Sequence, residues 1–162
     1  MRSIFININR FLSAVVVILT TGCQQYDVTI NDTLVYQPKR LFRDYTISDP
    51  GLAACVAQAI THEHVTEAID LAQLNCSNAG VRSLEGLAIF SGLKRIKLSD
   101  NHIRNLVELS NMLQLETVML DKNDIVDPIP LRHMQALSLL DLTGNSDLQC
   151  PQQGAFDHVT TL

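Results

Sequence analysis

The sequence predicts an α/β fold in the form of a short solenoid, made of about four stacked repeats with parallel strands on one face. The first observation is that four leucines recur at one constant spacing, at Leu71, Leu93, Leu115 and Leu137. The second is that an apolar residue follows each leucine three residues later, and another follows five residues later. A fixed period of this length is typical of proteins in which each repeat buries its apolar side against its neighbours.

Each repeat is predicted to contribute one short strand. Apolar residues alternate with polar ones in Ile96-Lys97-Leu98 and Val118-Met119-Leu120, which is the two-residue period of a half-buried strand. An asparagine follows three residues after the last strand leucine, where its amide can bond backbone groups exposed by the turn. These asparagines are Asn101, Asn123 and Asn145. We expect them to form a ladder when the repeats stack.

The second half of each repeat is predicted to return through a helical or 3₁₀ segment, because its apolar residues recur about every three positions. In the third repeat, Pro128 and Pro130 exclude a regular helix, so we expect an extended or 3₁₀ turn there. The recurring apolar residues are Leu84, Leu87 and Phe90, then Leu106, Leu109 and Met112, then Ile129, Leu131 and Met134.

The first and last repeats depart from this pattern. In the first repeat Cys76 stands where the second strand leucine is expected, and Ala79 stands where the asparagine is expected. The fourth repeat has one extra residue, which brings Leu148 to the eleventh position. Atypical terminal repeats are common in solenoids. We expect no full fifth repeat, and therefore four strands.

A helical cap is predicted ahead of the first repeat, over residues 48–70. Asp49-Pro50 marks the start of a helix, with Ser48 or Asp49 as the N-cap and proline at the first helical position. Apolar residues then recur on one face of a 3.6-residue period. They are Leu52, Cys55, Val56, Ala59 and Ile60. Such a helix would cover the exposed end of the solenoid core.

The repeats resemble the leucine-rich repeat family, whose template is L-x-x-L-x-L-x-x-N-x-L. The copies LKRIKLSDNHI from Leu93 and LETVMLDKNDI from Leu115 match it well, in a 22-residue class like that of the bacterial internalins. The segment FRDYTISDPGLAACVAQAI also looks like the helical cap of internalins. The resemblance covers roughly residues 45–162. It implies a cap followed by leucine-rich repeats over residues 71–162, with a short C-terminal end.

Residues 1–22 are predicted to be a signal peptide that is absent from the mature protein. Arg2 and Arg10 form its positive end, and the apolar stretch 11–19 is too short to span a bilayer. The run Leu19-Thr20-Thr21-Gly22-Cys23 resembles the bacterial lipobox, which implies cleavage before Cys23 and lipid attachment to its sulfur. The alternatives are an uncleaved apolar anchor, or a plain secretory signal in which Cys23 is only a thiol.

The lipobox resemblance implies an exported protein that is anchored to a bacterial membrane. Several acyl chains on Cys23 would hold it firmly, because each buried CH₂ contributes roughly 0.8 kcal/mol. Gln24 stands where an aspartate would retain a Gram-negative lipoprotein at the inner membrane, so the outer membrane is favoured in such a host. Residues 23–47 are predicted to be a tether or a small hairpin, since Val28 and Ile30 alternate with polar residues before Asn31-Asp32.

The charge balance is acidic and argues against nucleic acid as a partner. The chain has 12 basic and 17 acidic residues and a formal charge of −5. Removal of residues 1–22 takes away two arginines and no acids, which leaves 10 basic and 17 acidic residues and a charge of −7. An acidic surface does not attract a polyanion. It is also repelled by anionic lipid, so we expect the domain to stand off its anchor.

Three cysteines remain if Cys23 carries lipid. An exported protein meets oxidising conditions, and Cys55 on the cap helix and Cys76 on the first strand are expected to face each other. They are predicted to form a disulfide, with two packed thiols as the alternative. Cys150 lies three repeats away, too far to join either, and is predicted to be a buried free thiol.

The sequence offers no constellation for catalysis, metal binding or a cofactor. His62-Glu63-His64 has metal-ligand residue types, but a third ligand at a suitable spacing is missing, so a solvated loop is expected. The sequence contains neither a phosphate-binding glycine loop nor an H-E-x-x-H motif. We therefore expect the protein not to be an enzyme.

Partner recognition is expected on the concave face, since the family resemblance places contact residues between and just after the strand leucines. Met119 and Leu139 would form an apolar centre within a charged rim, which suits a protein partner. The alternative is a solvated face whose opposite charges pair with one another. The predicted contact residues are Gln73, Asn75, Arg95, Lys97, Ser99, Thr117, Met119, Asp121, Leu139 and Asp141.

The sequence thus predicts a monomeric, membrane-anchored and non-catalytic protein-binding module of the bacterial envelope. Its partner would be an unidentified protein or envelope component. The alternatives are a structural or assembly component without a dedicated concave-face ligand, or a small surface adhesin. Four strands at about 4.8 Å spacing give a narrow face, so a large and very tight interface is not expected.

Overall fold

The structure, a computed structural model, describes residues 28–30, 33–36, 40–149, 156 and 159–161. The chain divides into two compact units, residues 1–39 and 40–162. In the first unit, strands β1 (Val28–Ile30) and β2 (Thr33–Tyr36) pair in antiparallel fashion. Both strands lie within residues 23–47, the segment predicted to be a tether or a small hairpin.

Helix α1 (Pro50–Glu63) forms the cap of the second unit. Its N-cap is Asp49, whose side chain accepts a hydrogen bond from the backbone N–H of Leu52 at 3.0 Å. His64 ends the helix with a left-handed backbone (φ 55°) and donates its N–H to the carbonyl of Ile60. His62 and Glu63 are thus the last helical residues, so the expectation of a loop at this position was wrong. A short 3₁₀ helix, Ala68–Asp70, leads to the first repeat.

The repeats form one parallel sheet in sequential order. Its strands are β3 (Gln73–Asn75), β4 (Arg95–Lys97), β5 (Thr117–Met119), β6 (Leu139–Asp141) and β7 (Thr160–Thr161). In the first three neighbouring pairs, each strand residue lies beside the residue one full sequence period later, as Ile96 does beside Val118. The parallel solenoid predicted from the repeat is confirmed.

The sheet has one strand more than the repeat count predicted. Strand β7 pairs with β6 through Leu139 with Thr160 and Leu140 with Thr161. The step across this pair falls one short of the repeat period, and neither Thr160 nor Thr161 supplies an apolar residue of the repeat pattern. The backbone therefore continues the sheet where the side-chain pattern has ended.

The return segments are 3₁₀ helices at Leu87–Ile89, Val107–Asn111 and Ile129–Leu131. The third forms although it contains Pro130, because 3₁₀ geometry tolerates proline near its first residues. In this repeat Pro128, not Ile129, occupies the buried position that corresponds to Leu84 and Leu106. The sequence analysis grouped Ile129 with Leu84 and Leu106, which was wrong, because Ile129 lies one residue beyond the equivalent position.

A single apolar core runs from helix α1 through the repeats. The four leucines that define the period are all buried, as are the inward-facing residues of the strands. Cys76 fills the buried position of the first repeat where a leucine was expected, and it is 2% exposed. The core is therefore the internal lining that the stacked repeats share.

The three asparagines form the predicted ladder, and each bonds the backbone of its own and the preceding repeat. The Asn123 side-chain oxygen accepts from the N–H of Ile103 at 3.0 Å. Its Nδ2 donates to the carbonyls of Leu98 at 2.9 Å and Leu120 at 3.1 Å. Asn101 and Asn145 make equivalent bonds. Buried turn groups are thereby satisfied inside the stack.

The second unit begins before the predicted cap. Phe42 and Tyr45 contact Phe90 of the first return segment, with ring centroids 6.0 and 5.5 Å apart. Gly86 adopts φ +88°, and the position of a Cβ on it would lie 2.1 Å from the carbonyl oxygen of Thr46. This close approach requires glycine. Residues 40–47 therefore pack on the repeats as an extension of the cap.

Candidate binding face

The exposed surface of β3 to β6 is the concave face predicted to bind a partner. Each of these strands is three residues long, and its central residue is buried in the core. Because side chains alternate along a strand, the first and third residues point away from the core. Each strand thus presents two side chains away from the core, and they lie beside the equivalent side chains of the next strand.

The predicted contact residues differ in how much of each side chain is accessible. Gln73, Asn75, Arg95 and Lys97 are exposed. Asp141 is only 9% exposed. Its carboxylate accepts from the N–H of Thr143 at 2.9 Å and from the hydroxyl of Thr143 at 2.8 Å. The remaining residues are half-buried, namely Ser99, Thr117, Met119, Asp121 and Leu139.

A groove of about 430 Å³ lies on the cap side of this face. We call it the basic groove because it contains the cations of strand β4, although one acid, Glu63, stands at the end of helix α1. Its lining residues are Glu63, Gln73, Leu74, Asn75, Arg95, Lys97 and Thr117. Five of the ten predicted contact residues therefore meet in one groove, and the other five lie outside its lining.

Two lining residues were not predicted as contacts, namely Leu74, which belongs to the core, and Glu63. Glu63 is the exposed one that sequence reasoning missed. It belongs to the cap, and nothing in its local sequence indicates that the end of helix α1 reaches the sheet. Contacts between α1 and β3 bring it there. Only the packing of the cap on the first repeat reveals its position.

Charges of opposite sign on neighbouring repeats are paired in register. Lys94 Nζ lies 3.5 Å from Glu116 Oε1, and Lys122 Nζ lies 3.5 Å from Asp100 Oδ1. His102 Nδ1 lies 3.3 Å from Asp124 Oδ2, and this contact is an ion pair only when His102 is protonated. The partners of each pair stand one full period apart in the sequence, so the repeat itself places them side by side.

The acids of the concave face are already engaged by hydroxyl groups. The hydroxyl of Ser99 donates to the carboxylate of Asp121, its neighbour one repeat on. Asp141 is held by Thr143, as described above. The cations of β4 differ, because Arg95 stands between Gln73 and Thr117, and both of these neighbours in register are uncharged.

The cap is joined to the first repeat by a disulfide and by hydrogen bonds of Asp49. Cys55 of α1 and Cys76, which follows β3, are bridged by a disulfide with a Cα to Cα distance of 5.7 Å. In addition, Asp49 accepts hydrogen bonds from the N–H groups of Arg82 at 2.8 Å and Ser83 at 3.1 Å. The face therefore has a fixed boundary at its cap end.

The carboxylate of Asp49 has a lowered pKa. Burial alone would raise the pKa, but the N–H groups of Leu52, Arg82 and Ser83, with a further one from Gly51, donate to the carboxylate and outweigh burial. The pKa of Asp49 consequently lies below its ordinary value of 3.8. Asp49 is an anion that holds backbone donors, and it lies away from the basic groove.

The described part of the chain shows neither a cluster of three or more metal-ligand residues nor a helix whose length and apolarity would let it span a bilayer. His62 and His64 are exposed at the end of α1. The signal peptide, Cys23 and Cys150 lie outside the described residues. Their predicted roles rest on the sequence.

The stacked parallel strands, 3₁₀ returns, asparagine ladder and helical cap define a leucine-rich repeat solenoid. Solved structures with this fold include two internalins of Listeria monocytogenes strain 4b F2365. The first, inlF, is matched with a TM-score of 0.59 and 18% identity over 70% of this chain and 43% of that chain. The second, internalin C2, is matched with a TM-score of 0.56 and 25% identity over 75% and 62%.

These matches show the fold. The aligned part covers less than two thirds of either internalin. No family profile matches the sequence.

Proposed function

We propose that this chain is a non-catalytic protein-binding module whose partner docks on the concave face. The observation that carries the proposal is the paired rows of exposed and half-buried side chains that the strands present away from the core. A parallel sheet closed by a disulfide-linked cap offers such side chains on a rigid frame, which reduces the entropy lost on binding. The internalin-like fold supports the same role.

We further propose that lipid on Cys23 holds the module to a bacterial membrane, with the outer membrane favoured in a Gram-negative host. The lipobox-like sequence before Cys23 supports this proposal. Labelling of cells with radioactive palmitate should mark the wild-type protein and not Cys23→Ser. A soluble, unlabelled wild-type protein would contradict the anchor.

A second candidate is a structural or assembly role through the opposite side of the repeats. Ile89 and Val107 on the return segments are exposed at 44% and 57%, and large apolar residues at the surface favour contact with another molecule. This role would leave the concave face without a dedicated ligand. The two candidates therefore predict sensitivity to substitution on different sides of the repeats.

Crosslinking in intact cells, followed by identification of the copurifying proteins, tests both candidates with one matched pair of variants. Met119→Glu places a charged side chain on the concave face, and Val107→Glu places the same side chain on the return side. Concave-face recognition predicts that Met119→Glu loses the crosslinked partner while Val107→Glu keeps it. The reverse result would support the assembly role, and capture by both variants would contradict both.

A further inference from the structure

We propose that the basic groove binds an acidic segment of the partner protein, in which two carboxylates reach Arg95 and Lys97. This inference rests on the proposed concave-face function and specifies the chemistry of its ligand. It starts from the observation that two cations of strand β4 do not take part in the ion pairs between neighbouring repeats. The overall acidic balance of the chain, with a formal charge of −5, does not predict an anionic ligand.

The repeat pairs several of its charges across neighbouring repeats, but it leaves the two cations of β4 uncompensated. The pairs whose partners stand one period apart are Lys94 with Glu116, Asp100 with Lys122, and His102 with Asp124. Within the described residues, neither Arg95 nor Lys97 belongs to an ion pair. Both point away from the core at positions where the register brings no acid.

Neither Arg95 nor Lys97 has an acidic residue beside it on the neighbouring strands. Arg95 lies between Gln73 and Thr117, and Lys97 lies between Asn75 and Met119. The acids farther along the concave face, Asp121 and Asp141, accept hydrogen bonds from the hydroxyl groups of Ser99 and Thr143. The cations of the groove therefore have no anionic partner in the protein at these positions, and the carboxylates of a ligand can supply one.

The spacing of the cations sets a requirement on the ligand. Residues two apart on a strand lie about 7 Å apart on the same face. Two acids separated by one residue in an extended peptide have the same spacing and face the same way. A Glu-x-Glu arrangement can therefore contact Arg95 and Lys97 together, whereas adjacent glutamates of an extended chain point to opposite sides.

The surroundings of the groove favour a peptide over an anionic lipid or a simple phosphate. Met119 and Leu139 lie half-buried on the next two strands and offer apolar contact to neighbouring side chains of a peptide. Gln73, Asn75 and Thr117 supply amide and hydroxyl groups that can bond a peptide backbone. Glu63 at the groove edge opposes a dense polyanion and limits the number of negative charges accepted.

Fluorescence anisotropy with the full chain in detergent tests the proposal. The probe is a labelled octapeptide with Glu-Ser-Glu at its centre, compared with one that carries Gln-Ser-Gln. We expect the glutamate peptide to bind the wild type, and to bind Arg95→Gln/Lys97→Gln with at least tenfold lower affinity. Its affinity for the wild type should fall as the salt concentration rises. Lys94→Gln is the matched control, because it removes a neighbouring cation that is already paired with Glu116, and it should bind like the wild type.

Two further variants separate charge recognition from damage to the fold. Arg95→Lys/Lys97→Arg keeps both charges and should retain binding, and Glu63→Gln removes the opposing acid and should strengthen it. Equal binding of the Glu-Ser-Glu and Gln-Ser-Gln peptides would overturn the proposal. Competition by inorganic phosphate as effective as competition by the peptide would overturn it in favour of a general anion site.

The crosslinking experiment distinguishes this proposal from the broader function. If Met119→Glu loses the cellular partner while Arg95→Gln/Lys97→Gln retains it, the concave face binds a protein without the acidic contact. If both retain it, the concave-face function itself fails. Loss of the partner in both variants supports both proposals.

Discussion

At the scale of single residues, the turn after each strand contains one residue with a left-handed backbone, and most of these turns are followed by a ladder asparagine that bonds the turn. Asn78, Asp100 and Lys122 adopt left-handed backbones with φ between 53° and 55°, and Gly144 holds the same position with φ 73°. Asparagine, aspartate and glycine tolerate this conformation, whereas lysine does so at a cost. The ladder asparagine one residue later bonds the turn, so the stack enforces the conformation even on Lys122.

Asp49 illustrates a residue whose partners lie far away in sequence, and its replacement should be costly. Asp49→Ala removes the helix cap and leaves the N–H groups of Arg82 and Ser83 without their acceptor. We expect a loss of about 2 kcal/mol in the free energy of unfolding. Urea denaturation measures it, and Asp147→Ala, at an exposed aspartate, is the control. A loss equal to that of the control would refute this role.

The same residue predicts a dependence of stability on pH. Because the folded state lowers the pKa of Asp49 below 3.8, its contribution is present above that value and is lost as the pH falls through the lower folded pKa. The stability difference between the wild type and Asp49→Ala should therefore shrink below pH 3.8. A constant difference down to pH 2 would contradict this.

At the scale of elements, the cap is secured because an open solenoid end would expose apolar core. Helix α1 buries Leu52, Val56 and Ile60 against the first repeat. The disulfide between Cys55 and Cys76 closes a loop with a sequence separation of 21 residues. Since a crosslink reduces the freedom of the unfolded chain, it should raise stability more than the packing of two thiols would.

Reduction of this disulfide should lower the free energy of unfolding by about 3 kcal/mol. Urea denaturation with and without a reductant measures the change. The matched control is Cys55→Ala/Cys76→Ala, whose stability should not respond to reductant. Cys150→Ala should leave the response of the wild type intact if Cys150 is a free thiol, as the sequence predicts. A response that requires Cys150 would show a different pairing.

At the scale of the whole molecule, stability comes from one core that the repeats share. The buried residues of helix α1 and of all four repeats belong to a single cluster. In a solenoid each repeat contacts only its neighbours, so a central defect weakens two interfaces at once. We therefore expect the second unit to unfold in one transition that is sensitive to any buried leucine.

Two leucines provide a matched test, Leu109 in the second return segment and Leu113 just after it. Leu109 is fully buried, whereas Leu113 is 58% exposed only four residues later. Leu109→Ala should lower the free energy of unfolding by about 2–5 kcal/mol, because it leaves a cavity in the core. Leu113→Ala should change it by no more than about 0.5 kcal/mol. Thermal denaturation followed by circular dichroism compares them, and equal losses would contradict the single-core interpretation.

The repeat period predicted most of the solenoid, and the family resemblance predicted part of the candidate site. A constant period specifies which side chains face inward, because strand side chains alternate and identical units stack in register. This predicted the strands and the ladder, whereas the contact residues of the concave face were predicted from the family resemblance. The period did not predict β7, because this strand lacks the apolar residues of the repeat pattern. It also gave the wrong register in the third return, where proline stands at a position that is leucine in the earlier repeats.

The sequence by itself thus determined the repeated architecture of this protein and the rows of side chains available for binding, while the lipid anchor on Cys23 stays a prediction from it. The tertiary structure alone decided which of those side chains meet. It placed Glu63 beside the strands and joined Asp49 to the first return. The physical reason is that a period encodes contacts between equivalent positions. Contacts between the cap and the repeats depend on packing that no repeat specifies.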